Sequence, residues 1–215
     1  MRDLYRDIPQ LMRVEAPHIT IRAAVSQRSD IAVIAPHAGR IEPLTGELAE
    51  AIAGGEHRFY CFSGRAGQNN TRLHVTSTRF SEPLLTRVLL GASVALSVHG
   101  CRQPQAPVTQ LGGNNVRLRN RLERSLRLAG FAVERAEPPL AGRHPHNLVN
   151  RTLQGGVQLE LSRSQRQELG RAYRHDGTHE DGCACSFCCY VAAIRDVLAA
   201  YGCSAREHHI ARHSN

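Results

Sequence analysis

The alternation of apolar strands and amphipathic helices in this chain predicts an α/β protein: a mixed, mostly parallel sheet sandwiched by helices. Three observations carry that reading. Residues 30–36 and 93–98 are apolar runs of the length expected for buried strands. Residues 114–129 place Leu118, Leu122 and Leu126 at i, i+4 and i+8, one apolar stripe on a helix. Strand and helix patterns then alternate as far as residue 174, which implies a sheet whose ligands gather at the carboxyl ends of its strands.

In order along the chain, residues 1–28 read as a peripheral lead-in with one short alternating stretch, His18-Ile-Thr-Ile-Arg22. A body over 29–174 follows. After the first buried strand, residues 45–54 form a helix capped by Thr45 and stopped at Gly54-Gly55. Residues 58–63 and 72–76 are short strands. Residues 83–92 make a helix opened by Pro83, residues 108–111 a small edge strand, and residues 132–136 a further strand. The run Pro138-Pro-Leu-Ala-Gly-Arg-His-Pro-His146 is rich in loop formers and precedes a short helix over 148–153. Gly156-Val-Gln-Leu-Glu-Leu-Ser162 is a strand, and residues 164–174 a helix. Residues 175–215 are a Cys/His-rich C-terminal appendage: a polar linker, a cysteine-dense knot and a helix near 190–201. There is no internal repeat.

The 215 residues suffice for one substantial core. No run approaches the roughly 18 apolar residues of a membrane span, and the start lacks the apolar centre of a secretory signal. A cytoplasmic protein with no membrane partner is the expectation; the oligomeric state is left open. The net charge is +8, and all 27 basic residues are arginine. Residues 176–215 hold three Arg against five Asp and Glu, a net of −2, so the first 175 residues carry +10. That excess would concentrate a polyanion, whether nucleic acid, an anionic lipid surface or a polycarboxylate. Nucleic acid would draw on Arg117, Arg119, Arg121, Arg124 and Arg127 along one helix. Aromatic residues are only 5% with no tryptophan, too few for stacking platforms, which weighs against it.

The chemistry-bearing residues sit at strand ends. The first buried strand releases His37 and, after four intervening residues in a Pro/Gly turn, Glu42; the second ends in His99. Two imidazoles and one carboxylate on neighbouring strand ends are the ligand set of a catalytic zinc site, whose fourth position stays open to water. In 156–162 the apolar Val157, Leu159 and Leu161 alternate with Gln158 and Glu160. A buried glutamate is costly unless it is paired or functional, so Glu160 is the candidate proton carrier. The alternative places it on the solvent face of an edge strand.

Pro36-His-Ala-Gly-Arg-Ile-Glu-Pro43, Leu73-His-Val-Thr-Ser-Thr-Arg-Phe-Ser-Glu-Pro83, Ser97-Val-His-Gly-Cys101 and Gly155-Gly-Val-Gln-Leu-Glu-Leu-Ser162 together resemble the poly-γ-glutamate hydrolase family. Its members are small zinc peptidases, some of them phage-encoded, with a zinc carboxypeptidase-like fold; a phage origin for this chain would imply release on lysis. The resemblance covers residues 31–171. It implies Zn2+ on His37, Glu42 and His99, a catalytic role for Glu160, and cleavage of γ-glutamyl amide bonds in poly-γ-glutamate. A related reading keeps the site but cleaves another N-acyl amino acid or a cell-wall linkage. Ala38 and Arg40 depart from a glycine-richer loop, and Ser81 stands where an acidic residue is common.

A polymer with one carboxylate per residue calls for arginine, whose planar fork matches a carboxylate. Arg79 is the first candidate, with Arg40 and Arg163 next; Arg79 could equally brace Glu82. His74 lines the cleft or is a satisfied core histidine. In the tail, Cys183, Cys185, Cys188 and Cys189 have the spacing of a second, structural zinc site. Redox chemistry and plain thiols are the alternatives.

Overall fold

The computed structural model describes residues 3–102, 104–175 and 184–212, with backbone alone for 175 and 203–212. The lead-in folds as helix α1 (Ile8–Glu15) and strand β1 (Ile19–Ala24). The body runs β2 (Ile31–Gly39), α2 (Thr45–Ala53), β3 (Arg58–Gly64), α3 (Pro83–Leu90), β4 (Val94–Gly100), β5 (Thr109–Gly112), α4 (Val116–Leu128), β6 (Val133–Arg135), β7 (Gly156–Leu161) and α5 (Arg163–His175). Helix α6 (Ser186–Arg212) closes the chain. The strands form one seven-stranded sheet in the order β1-β3-β2-β4-β7-β5-β6. The centre, β3-β2-β4-β7, is parallel; β1 joins β3 and β5 joins β7 antiparallel. The expected mixed, mostly parallel class is what forms.

Each sheet face carries its own core. On one, Val33, Leu96 and Leu159 meet α2 and α4 together with Phe187, Tyr190, Ile194 and Leu198 of α6. On the other, Ile34, Tyr60 and Phe62 meet Leu11, Phe80, Leu85 and Leu148. The α4 stripe is fully buried, and each of its three leucines stabilises the fold by roughly 1.5–3 kcal/mol through area removed from water. Four of the five α4 arginines are committed within the protein. Arg117 and Arg121 lie over the Tyr201 ring, Arg119 bonds the Gly113 carbonyl, and Arg127 pairs with Glu123. Among the described residues no helix is long and apolar enough to cross a membrane.

Local chemistry moved several elements. Strand β2 runs past residue 36 to Gly39, through an irregularity between Ala35 and Ala38, so His37 sits within the strand rather than beyond it. Residues 72–76 are not a strand. Asn70 clamps the backbone of Ala66 at 2.7 and 3.1 Å and winds Asn70–Leu73 into a 3-10 turn. The small strand near 108–111 is β5, which lies between β7 and β6 rather than at an edge. The stretch near 148–153 is a single 3-10 turn, Leu148–Arg151. Leu44, with φ of 78°, takes the cap position of α2, and Thr45 instead bonds the Glu42 carbonyl at 2.8 Å.

Candidate metal centre

His37 is delivered by the irregularity in β2, and the chain then turns sharply. Gly39 adopts φ of +74°, and a Cβ there would lie 2.5 Å from Ser63 Oγ and 2.6 Å from the Gly64 carbonyl oxygen, so only glycine fits. The Arg40 N–H bonds Gly64 O at 2.8 Å, and the Glu42 N–H returns to His37 O at 2.8 Å. This loop brings Glu42 back beside His37. His99 arrives from β4, whose ladder with β2 ends at Ile34 and Ser97, leaving a gap between the strand tips.

Three donors converge in that gap. His37 Nδ1 and His99 Nδ1 are 3.2 Å apart, and the Glu42 carboxylate lies 3.3 Å from the first and 3.7 Å from the second. The outer nitrogens are already engaged. His37 Nε2 is 2.9 Å from the Val75 carbonyl, which can only accept, so this nitrogen carries a proton whatever the charge of the ring, and Nδ1 presents a lone pair when the ring is neutral. His99 Nε2 is 2.7 Å from Ser97 Oγ, and the Gly100 N–H bonds Glu42 Oε2 at 2.8 Å. Outer-nitrogen contacts of this kind orient metal-bound histidines. Nitrogens about 2.0–2.1 Å from a tetrahedral zinc lie roughly 3.3–3.4 Å apart, close to the spacings seen here. Two imidazoles and a carboxylate, with donor atoms all within 4.8 Å of one another, fit zinc with a position to spare.

Glu160 is the ladder partner of His99 on β7, an interior strand whose six residues are all buried. The edge-strand alternative is thereby excluded. Its carboxylate accepts from Gln158 Nε2 at 2.6 Å, and Asn147 holds Gln158 Oε1 at 3.1 Å. Burial, then the charge of Glu42, pushes its pKa well above the usual carboxylate range. Glu42 goes the other way. Burial raises it, but the His37 charge and hydrogen bond outweigh that and bring it to about 2.

Asp3 occupies a place no sequence signal marked. Its carboxylate binds the Thr76 N–H and His74 Nδ1, each at 2.8 Å, and pairs with Arg79. Arg79 therefore does not brace Glu82, which caps α3 through the Leu84 and Leu85 N–H groups. The His74 ring stacks on His37 at 4.1 Å. Arg40 and Arg163 are exposed, the first in the His37–Glu42 loop and the second at the start of α5. Cys183 lies outside the described residues. The Cys188 N–H reaches Cys185 Sγ at 3.4 Å, so that sulfur caps the first turn of α6, and Cys189 is half-buried beside them. The residues that sequence reasoning missed are Ser97, Gln158, Asn147, Asp3 and Arg166. Ser97 and Gln158 had a signal, since each lies two residues before a candidate site residue, His99 or Glu160, on the same strand face.

The histidines set a pH dependence for the metal-free protein. Burial holds His99 at about 3; burial and then the His37 charge hold His74 at about 4; the unfolded chain protonates both near 6.5. Stability present above pH 6.5 is therefore lost as pH falls through the window from 6.5 to about 3. His37 acts oppositely: burial lowers its pKa, but Glu42 raises it further, so its contribution is full below 6.5 and fades as pH rises through its folded value. Glu160, held protonated by burial, opposes His99 and His74 as pH rises above its ordinary value, so with two groups against one below pH 6.5 the chelated protein should lose urea resistance between pH 6.5 and 4.5. A flat or rising profile would contradict the neutral assignment of His99 and His74.

A sheet that gathers His, Glu and His at its strand tips, with a buried carboxylate alongside, has the donor set of a metal-dependent hydrolase. The chain belongs to the poly-gamma-glutamate hydrolase family, whose profile matches residues 5–193. That match reaches past residue 171 into the cysteine run. UPF0714 protein YmaC of Bacillus subtilis (strain 168) is 30% identical over 200 residues, covering 91% of this chain and 84% of that protein. A bacteriophage poly-gamma-glutamate hydrolase structure superposes with a TM-score of 0.82 at 33% identity, covering 93% of this chain and 98% of that one. A zinc-free structure of YndL superposes at 0.70 with 27% identity, covering 78% and 84%.

Proposed function

We propose that this protein hydrolyses γ-glutamyl amide bonds of poly-γ-glutamate with zinc held by His37, Glu42 and His99. The observation that carries the reading is the convergence of the two Nδ1 atoms and the Glu42 carboxylate beside Glu160, whose strand position pairs with that of His99. When bound, zinc supplies Lewis acidity that polarises the amide carbonyl and acidifies water. Glu160 accepts the proton of the attacking water and delivers it to the leaving amine, a shuttle suited to a carboxyl whose pKa lies above the ordinary range. A dication beside it would draw that pKa back down and favour the accepting form. Val75 and Ser97 hold the imidazoles, and the stacked His74 ring braces His37.

The substrate assignment rests on the family match and on the +10 charge of the first 175 residues. Exposed Arg40 and Arg163 are suited to the polymer's carboxylates. Arg79, with the Thr76 N–H and His74, already shows the geometry of carboxylate binding on Asp3. Zinc-replete protein incubated with poly-γ-glutamate should shorten the polymer on a gel, chelation should stop it, and added zinc should restore it. Intact polymer in the presence of saturating zinc would defeat the reading. Cleavage of an N-acyl amino acid with the polymer untouched would keep the site and change the substrate.

A further inference from the structure

Arg166, on the first turn of α5, makes a set of contacts that the mechanism above does not use. Its Nε donates to the Leu161 carbonyl at 3.3 Å, Nη1 to the Pro43 carbonyl at 3.2 Å, and Nη2 to the Cys101 carbonyl at 3.3 Å. Leu161 follows Glu160, Pro43 follows Glu42, and Cys101 stands two residues after His99. One guanidinium plane thus bonds the chain just beyond each of three proposed functional side chains. Among the described residues it forms no ion pair, although Glu42 and Glu160 lie within its electrostatic reach.

The sheet itself leaves this junction open. The β2–β4 ladder stops at Ile34 and Ser97, and beyond the irregularity β2 pairs only with β3. Strands β4 and β7 stay joined to their tips, with the Cys101 N–H on Leu161 O at 2.9 Å. The Glu42 loop is therefore held to β4 by the bond from the Gly100 N–H to its own carboxylate, and by Arg166 through Pro43. Gly100 makes the room: a Cβ there would lie 2.6 Å from Arg166 Nε and 2.7 Å from its Cζ.

We propose that Arg166 is a positioning residue that clamps the Glu42 loop onto the β4–β7 pair, setting both zinc affinity and the placement of Glu160. This rests on the zinc-hydrolase reading above. A lysine cannot replace it, because a single ammonium on a flexible stem cannot span three fixed carbonyls in one plane. The guanidinium fork is pre-organised for that task.

The test uses full-length Arg166→Lys, Arg166→Met and Gly100→Ala, the last displacing the guanidinium without altering its charge. Zinc affinity is read by competition with a chromophoric chelator, folding by thermal melts of the chelated protein, and kcat and KM on poly-γ-glutamate at saturating zinc. Zinc affinity should fall about 10–100-fold in all three, as for other groups that orient metal ligands. The kcat should fall at least about tenfold with KM little changed. If Arg166→Met fails to fold, the other two variants decide the matter. Parental zinc affinity and kcat in Arg166→Lys and Gly100→Ala would overturn the clamp, as would recovery in Arg166→Lys alone, which would reduce the role to charge. A raised KM with parental kcat would make Arg166 a substrate ligand instead. A parent that holds zinc and cleaves polymer while the variants match it sinks only this inference; a parent that does neither sinks the hydrolase reading as well.

Discussion

His99→Ala protein is expected to fold and to bind one zinc fewer per chain than the parent, with no measurable depolymerisation. The side chain contributes one of three proposed ligands, and its Nδ1 sits 3.2 Å from His37 Nδ1; among the described residues these three form the one group of donors that could hold a metal. Losing one of three donors leaves an imidazole and a carboxylate, too few to retain zinc against a chelator. Folding should survive because His99 is held neutral by burial, and alanine removes that desolvation cost along with the ring. Comparing stoichiometry with the parent, rather than counting zinc in the variant alone, allows for metal on the tail cysteines. Removing the tail would be a poor control, since Phe187, Tyr190, Ile194 and Leu198 of α6 are buried in the main core. Unchanged zinc content in His99→Ala would overturn the ligand assignment.

Glu160→Gln should keep its zinc and its fold while kcat falls by about 10²–10⁴-fold, the usual contribution of a general acid–base group. Glutamine matches the shape and keeps an oxygen for Gln158 Nε2, now 2.6 Å from Glu160 Oε1. Burial and the Glu42 charge already favour the neutral carboxyl in the metal-free protein. Exchanging it for a neutral amide should therefore change the melting temperature of the chelated protein little. The loss should lie in kcat with KM nearly constant, because the group acts on protons in flight rather than on bound polymer. A fall of less than about tenfold would remove Glu160 from the catalytic role. A comparable fall accompanied by lost zinc would make it a ligand.

Periodicity determined most of the architecture by itself. The buried strands β2 and β4 follow from continuous apolar runs, β7 from an alternation of period two and the α4 stripe from a period of 3.6, because burying apolar surface is the dominant local demand on a chain. The candidate metal residues His37, Glu42 and His99 were legible for the same reason. A polar side chain at the tip of an apolar run needs an explanation that its own element does not supply. Tertiary structure alone decided what surrounds them. Asp3 meets Arg79 across an |i−j| of 76, and Arg166 reaches Pro43 across 123. Such contacts depend on which strand tips the sheet order brings together, and no local pattern encodes that order. Residues 72–76 failed as a strand because Asn70 hydrogen-bonds the backbone of Ala66, a local competition that hydrophobic alternation does not register. Whether Glu160 faced solvent or core turned on β7 lying between β4 and β5. The sequence could specify the alternation of its residues, but only the neighbouring strands could bury them.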